Sequence, residues 1–553
     1  MTGGPVAGLR RQVARVPPEA VVVIALVLLA ALTRLPGLDE RGRWDADQAH
    51  DMLVLRALVT EGEVPLLGPR TSIGTFHHGA AYYYLLAPAA VASGADPVAV
   101  TAWIALFGIG AVLGTWWLAR LIGGPLAGAA AGLLAAVSPA GIDESTFIWN
   151  PNVIAAAAAL AFASVLRARQ TGRDRWWLVA GLGAMVTMQA HVLGVVVVPP
   201  LAVAWLLEVR RRRAANRPLD GLLRAAGGAV AIMAAGYVPL LIHELGAGFD
   251  ETRGIVDYLA GGGRGAGGEP LGRVAIVGLR AVTWPLVGLL TDRPVLTLVA
   301  GLAATVLAAV AAVAGRPPDR AAARWLLASL AWSVPALAVF APSLATVTPG
   351  LPNDHYHAFL DPVVLALAGV GVARLARGIR WGAVVPAMAP VAGSERVAAR
   401  VGPSRALAIL AMAVLVAIGV AAWPPRVADD GGWRLAQEAA ARVARTTGAE
   451  AVALDGIPPF KSADAMRFPL ARIGVGLRPV EADGAGDLGT ATMAVLVCDP
   501  LFEEVVGAEC GGPAEDAWVA GGAGGAGAAG LRLVDRFAAG TRRLISVYAV
   551  TAP

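Results

Sequence analysis

Lysine is almost missing from this chain. Of its 45 basic residues only Lys461 is a lysine, and all the others are arginine. Charge of either sign is scarce too, at 15% of 553 residues, where a soluble domain carries about a quarter. Cysteine occurs twice, as Cys498 and Cys510. What fills the chain instead is apolar: 57% of residues are hydrophobic, in recurring runs near twenty residues long. Runs of that length match the thickness of a bilayer, so the class is a polytopic α-helical membrane protein. The net charge of +5 would suggest nucleic acid in a soluble protein. Here the arginines cluster in short interhelical loops, as the positive-inside rule requires, and no nucleic-acid partner is needed.

Arg10, Arg11 and Arg15 precede the first apolar run, 19–38, and predict a cytoplasmic N-terminus over 1–18. No small-residue cleavage pattern follows that run, so it reads as an anchor and not as a removable signal peptide. Further spans are expected near 98–119, 124–139 and 152–168, two within 176–207, then 224–245, 295–314, 322–342, 357–373 and 405–423. Arginine clusters at 120, 167–175, 210–213, 316–324 and 374–400 all fall on one side of this threading. The membrane domain thus covers 19–425, with about eleven spans and a first extracytoplasmic loop at 39–97. Residues 274–291, interrupted by Arg280, Pro285 and Asp292, read as an amphipathic helix lying along the interface.

From 427 to 553 the texture is that of a small soluble α/β domain on the extracytoplasmic face. A helix is expected at 433–448, strands at 450–456 and 493–500, and a closing strand at 544–550. Cys498 and Cys510 both fall here and are expected to form a disulfide, which the oxidising side of a membrane permits. The strings GRGAGG (263–268) and GAGGAG (522–527) match G-x-G-x-x-G, but neither lies between a strand and a helix. Both read as loops, and a dinucleotide site is rejected.

On this threading Asp45, Asp47, Asp51, His77, His78, Asn150, Asn152, His191, Asp354, His355 and His357 all come out on the extracytoplasmic side. Carboxylates and histidines at membrane depth are costly and mark function. Their gathering at one interface predicts an active or binding site there. A cation in such a site suits an anionic ligand, and a carboxylate beside it suits a general base. Each residue also has a plainer reading. Asp45 precedes a helix and fits an N-cap, and Asp51 lies four residues after Asp47 and within reach of Arg56. Pro151 makes Asn150 and Asn152 turn formers. Gln189 and His191 fit a hairpin tip, and His243 with Glu244 fits an interfacial polar pair.

The stretch DQAHDMLVLRALVTEGEVPLLGPRTSIGTFHHGAAYYYLLAP (47–88) resembles the first outer loop of bacterial polyprenyl-phosphate-sugar-dependent glycosyltransferases of the GT-C fold. These are the protein O-mannosyltransferase-like and lipid A aminoarabinose transferase-like enzymes, and the nearest subgroup is galacturonosyltransferase-like. WNPN (149–152), QAH (189–191) and HYHAFLDP (355–362) match further. The resemblance implies a GT-C bundle and inverting transfer of a sugar from a polyprenyl-phosphate donor to a cell-envelope acceptor, at the outer face of the cell membrane. It implies Asp47 as general base, with Asp45 in reserve, and His78, flanked by His77, as the donor-phosphate ligand. Tyr82 and Tyr83 match the aromatics that follow, and Arg70, Asp51, Asn150, Asn152, Gln189, His191, His355 and His357 become substrate contacts. No cofactor is required, and a divalent metal ion is the one candidate left open. The sequence departs from the family's form at Gln48, at His50 where an arginine is usual, and at Gly79-Ala80-Ala81 where Gly-Pro-Leu is usual.

Two other classes compete: a transporter or lipid flippase, and a non-catalytic envelope-assembly protein. A transporter predicts internal repeats and charges at mid-membrane. The halves of this chain do not resemble each other, and its charges sit at one interface.

Overall fold

The computed structural model describes residues 17–71, 75–262, 269–346, 353–378, 402–448, 451–457, 463–479, 491–499, 509–520, 530–541 and 543–551. The N-terminal arginines, both glycine strings and the arginines of 380–400 lie outside these residues. Among the described residues eight helices are long and apolar enough to cross a membrane, or nine if a bent pair counts as one. That pair, Asp220–Ala235 and Val238–Ala247, is angled by 46°; Pro239 opens its second half and cannot continue the hydrogen-bond ladder of the first.

The expected spans are all present as helices, and the counts differ because one helix is a merged pair and two are shorter. Helix Pro97–Val137 is a merged pair of 41 residues, kinked where Gly124 takes φ +75° and Pro125 follows. Pro18–Arg34 and Arg175–Ala190 are apolar but have only 17 and 16 residues, about 25 Å of helix. The additional long helix is Pro270–Val287, expected to lie along the interface. Its contacts go to the same end of its neighbours: Trp284 to Glu144, Arg280 to Asp354, and Gly278 beside Val334.

At the centre stands the span Asp354–Ala376, whose apolar window is wholly buried inside the protein. Small residues let neighbouring backbones come close to it. A Cβ at Gly369 would stand 2.6 Å from the Ala131 nitrogen, and one at Gly371 2.3 Å from the Leu307 carbonyl. Such contact is how helices pack where lipid offers no hydrophobic drive.

The two ends of the bundle are chemically distinct. At one, arginines bridge the turns: Arg377 donates to the Gly123 carbonyl at 2.7 Å, Arg212 pairs with Asp174 at 2.5 Å, and Arg211 reaches the Arg169 carbonyl. The histidines and the first-loop carboxylates lie at the other.

The C-terminal domain sits on that second end. Its sheet runs β2 (Leu477–Pro479), β1 (Val452–Ile457), β3 (Met493–Cys498), β5 (Leu544–Thr551), β4 (Gly530–Ala538). The first three strands are parallel and β5 is antiparallel to both of its neighbours. The run 544–550 therefore does not close the sheet. The edge belongs to β4, whose Arg532, Asp535 and Arg536 suit an outer strand. Helices Gly432–Thr447 and Asp464–Arg472 bury Val443, Met466 and Leu470 against β1, β3 and β5. Cys498 and Cys510 form a disulfide.

Candidate active site

Helix Ala46–Thr60 carries the first-loop acids. Asp45 caps it: its carboxylate accepts from the Asp47 N–H, and the Gln48 side chain accepts from the Asp45 N–H, closing a capping box. Asp45 and Asp51 are buried, whereas Asp47 is exposed. Asp51 accepts from the Tyr82 and Tyr83 hydroxyls at 2.9 and 2.8 Å. Burial pushes its carboxyl up to about 7, against the pull of those two hydrogen bonds.

The chain between 68 and 79 folds back on itself. Gly68 N–H donates to the His78 carbonyl and His78 N–H to the Pro69 carbonyl, with Arg70 opposite His77. Gly79 then docks on the hairpin tip, donating to the Gln189 carbonyl at 2.9 Å. Only glycine fits here, because a Cβ would stand 1.9 Å from Gln189 Oε1 and 2.9 Å from Gln189 Cα. This docking stacks His78 on His191 at 4.7 Å, with His355 at 5.5 Å and Tyr356 at 4.8 Å from His191. His78 Nδ1 accepts from the Val192 N–H at 3.3 Å. Burial pushes His78 down to about 3 and His191 well below the usual imidazole range. Burial thus disfavours the charged form of both rings. A neutral imidazole can meet a phosphate only by donating a hydrogen bond.

The remaining expected residues divide between this stack and the helix ends. Asn150 donates to the Ala190 carbonyl at 2.6 Å and Asn152 to the Phe147 carbonyl at 2.8 Å, so both fasten backbone turns. His355 packs on Trp149 at 4.2 Å. His357 contacts Asp354 at 3.2 Å, and Asp354 receives two hydrogen bonds from the buried Arg280 at 2.5 and 2.8 Å.

Between the first-loop helix and the 238–257 segment opens a cleft of about 340 Å³, lined by His50, Val54, Pro65, Leu66, Leu67, Gly68, His77, Tyr83 and His243. Its lining combines apolar side chains with three imidazoles. Three of its features escaped the sequence. Glu251, buried, accepts from the His77 backbone N–H at 2.7 Å and contacts its Nδ1 at 2.6 Å. His243 pairs with Asp250 at 3.3 Å. His50 Nδ1 contacts Asp464 of the C-terminal domain at 3.0 Å. His243, Asp250 and Glu251 bring one ligand atom each within 4.8 Å of one another, a spacing that a divalent ion would fit. Glu251 already has both oxygens engaged by His77, so the cluster is also satisfied as an ion-pair network.

Comparison with solved structures identifies the architecture. ArnT from Cupriavidus metallidurans in the apo state aligns at TM-score 0.56 and 14% identity, covering 96% of this chain and 98% of that one. The same protein bound to undecaprenyl phosphate aligns at 0.55 and 12%, covering 95% and 97%. This is the GT-C fold. Within that GT-C frame, residues 77–237 match the family model described as dolichyl-phosphate-mannose-protein mannosyltransferase. The matched segment runs from His77 through the hairpin tip to the bend at Tyr237. Comparison with curated proteins gives no match.

Proposed function

We propose that this protein is a membrane glycosyltransferase that moves a sugar from a polyprenyl-phosphate donor to a cell-envelope acceptor, with inversion and with Asp47 as general base. The observation that carries the reading is the cleft beside the acid-bearing helix, lined both by apolar residues, Val54 and Pro65–Leu67, and by the imidazoles of His50, His77 and His243. Such a pairing of surfaces suits a lipid whose head is a phosphate ester. A GT-C neighbour binds undecaprenyl phosphate.

The choice of base follows from exposure. Asp45 is committed to its cap and Asp51 to two tyrosine hydroxyls deep in the protein. Of the three, Asp47 is the one that faces solvent, where an acceptor hydroxyl can reach it. In the reaction Asp47 takes the hydroxyl proton, the oxygen bonds to the anomeric carbon, and the bond from that carbon to the phosphate oxygen breaks. The polyprenyl phosphate leaves with the electron pair, so the protein has to orient, deprotonate and neutralise. The arginine-rich end of the bundle would face the cytoplasm, which puts the cleft outside.

The test is release of undecaprenyl phosphate from a panel of undecaprenyl-phosphate sugars by the purified protein. Asp47→Asn should fold and bind donor yet lose turnover by at least about a hundredfold, the scale of a general base. Full turnover by Asp47→Asn would remove the assignment.

A further inference from the structure

A phosphate-binding cleft needs a cation, and the imidazoles on its wall are not equivalent. His77 is engaged by the buried Glu251 and His243 by Asp250. His50 gives only Nδ1 to Asp464; among the described residues its Nε2 has no partner, and its side chain is 54% exposed in the cleft wall. Asp464 opens the helix Asp464–Arg472, which packs on the first-loop helix Ala46–Thr60. That seating is fixed at several points. Arg467 Nε donates to Asp464 at 2.9 Å, Trp44 Nε1 to the Ala465 carbonyl at 2.9 Å, and Arg472 to the Ala95 carbonyl at 2.9 Å and to Asp96 at 3.0 Å. Trp44, Trp433 and Phe468 pack their rings together beneath it.

We propose that His50, ion-paired through Nδ1 to Asp464 of the C-terminal domain, is the cation that receives the lipid phosphate through Nε2. The C-terminal domain is then part of the donor site and not an appendage. This rests on the donor reading above. The hydrogen bond from Asp464 raises the affinity of His50 for its proton; burial opposes it, and the charges of Asp51 and Asp47 on the same helix add to it. Burial pushes Asp464 up, but His50 and Arg467 outweigh it and hold the carboxyl below its usual range. The other groups facing His50 across the cleft are His77 with Glu251, His243 with Asp250, and the Tyr83 hydroxyl.

The experiment measures binding of undecaprenyl phosphate to the purified full chain from pH 6 to pH 9, with undecaprenol as the uncharged control. Because His50 is raised, the wild-type protein should bind tightly at low pH and lose about tenfold as pH rises above the ordinary imidazole value, the worth of one charge-assisted hydrogen bond. His50→Gln should bind weakly with that fall abolished, and Asp464→Asn should move the fall to lower pH. His50→Arg should restore tight binding at every pH and make the Asp464→Asn substitution silent, a rescue no merely structural contact would give. Undecaprenol binding should be flat in all of them. An unchanged pH profile in His50→Gln, or no rescue by His50→Arg, overturns this assignment alone. Failure of the wild-type protein to bind undecaprenyl phosphate at any pH overturns the donor reading with it.

Discussion

Gly79→Ala concentrates the geometry of the site into one methyl group. Gln189 can swing its amide away from the new Cβ, but its Cα cannot move alone, and at 2.9 Å that contact is closer than real Cβ atoms tolerate. The 75–79 segment must therefore retreat from the hairpin tip by about half an ångström or more. Overpacking of this kind costs about 1–3 kcal/mol. The Gly79–Gln189 and Val192–His78 hydrogen bonds stretch with it, each worth about 1 kcal/mol. Because His77 and Gly68 line the cleft on the same fold-back, the shift reaches the donor wall, and misplacement approaching 1 Å can cost about a hundredfold in rate. The measurement is turnover by undecaprenyl phosphate release, beside melting temperature and gel filtration in detergent. The expected result is a monodisperse protein, slightly less stable, with turnover reduced by about tenfold to a hundredfold. Wild-type turnover in Gly79→Ala would show that the fold-back and the hairpin tip do not shape the site.

Asp51 makes stability fall with pH: its carboxyl is raised, so the contribution is whole below about 3.8 and is lost as pH climbs to about 7. Asp51→Asn should flatten melting temperature against pH across that window, and an identical slope in both proteins would remove Asp51 as its source. Arg280→Met strands Asp354 without its guanidinium partner inside the bundle, at about 3–5 kcal/mol, whereas Arg280→Met with Asp354→Leu should recover most of the loss. Equal melting points for the single and double variants would count against that pairing. Asp45→Ala removes the helix cap and should cost about 1 kcal/mol in thermal stability while Asp45→Asn costs little; equal losses would show that the carboxylate matters for something other than capping.

The bundle was legible because lipid enforces long apolar runs and leaves little room for ambiguity. Where the reading slipped, local chain geometry was the reason. The stretch that forms β4 carries too many charges to resemble a strand. The gathering of histidines at one end could be traced by following the arginines at the other. Their partners could not: Glu251 lies 174 residues from His77 and Asp464 lies 414 from His50. No periodicity links residues so far apart. The lowered proton affinity of His78 was equally hidden, because it follows first from burial in the folded site, with the adjacent His77 adding to it.

Helix Ala46–Thr60 emerges from the ribosome among the first segments, yet the helix that roofs it, Asp464–Arg472, emerges among the last. A nascent chain can therefore thread its bundle into lipid long before Trp44 meets Trp433 and Phe468. The clasp of Asp464 on His50 waits on synthesis of nearly the whole polypeptide, so a truncated product would hold the bundle and its cleft without that partner.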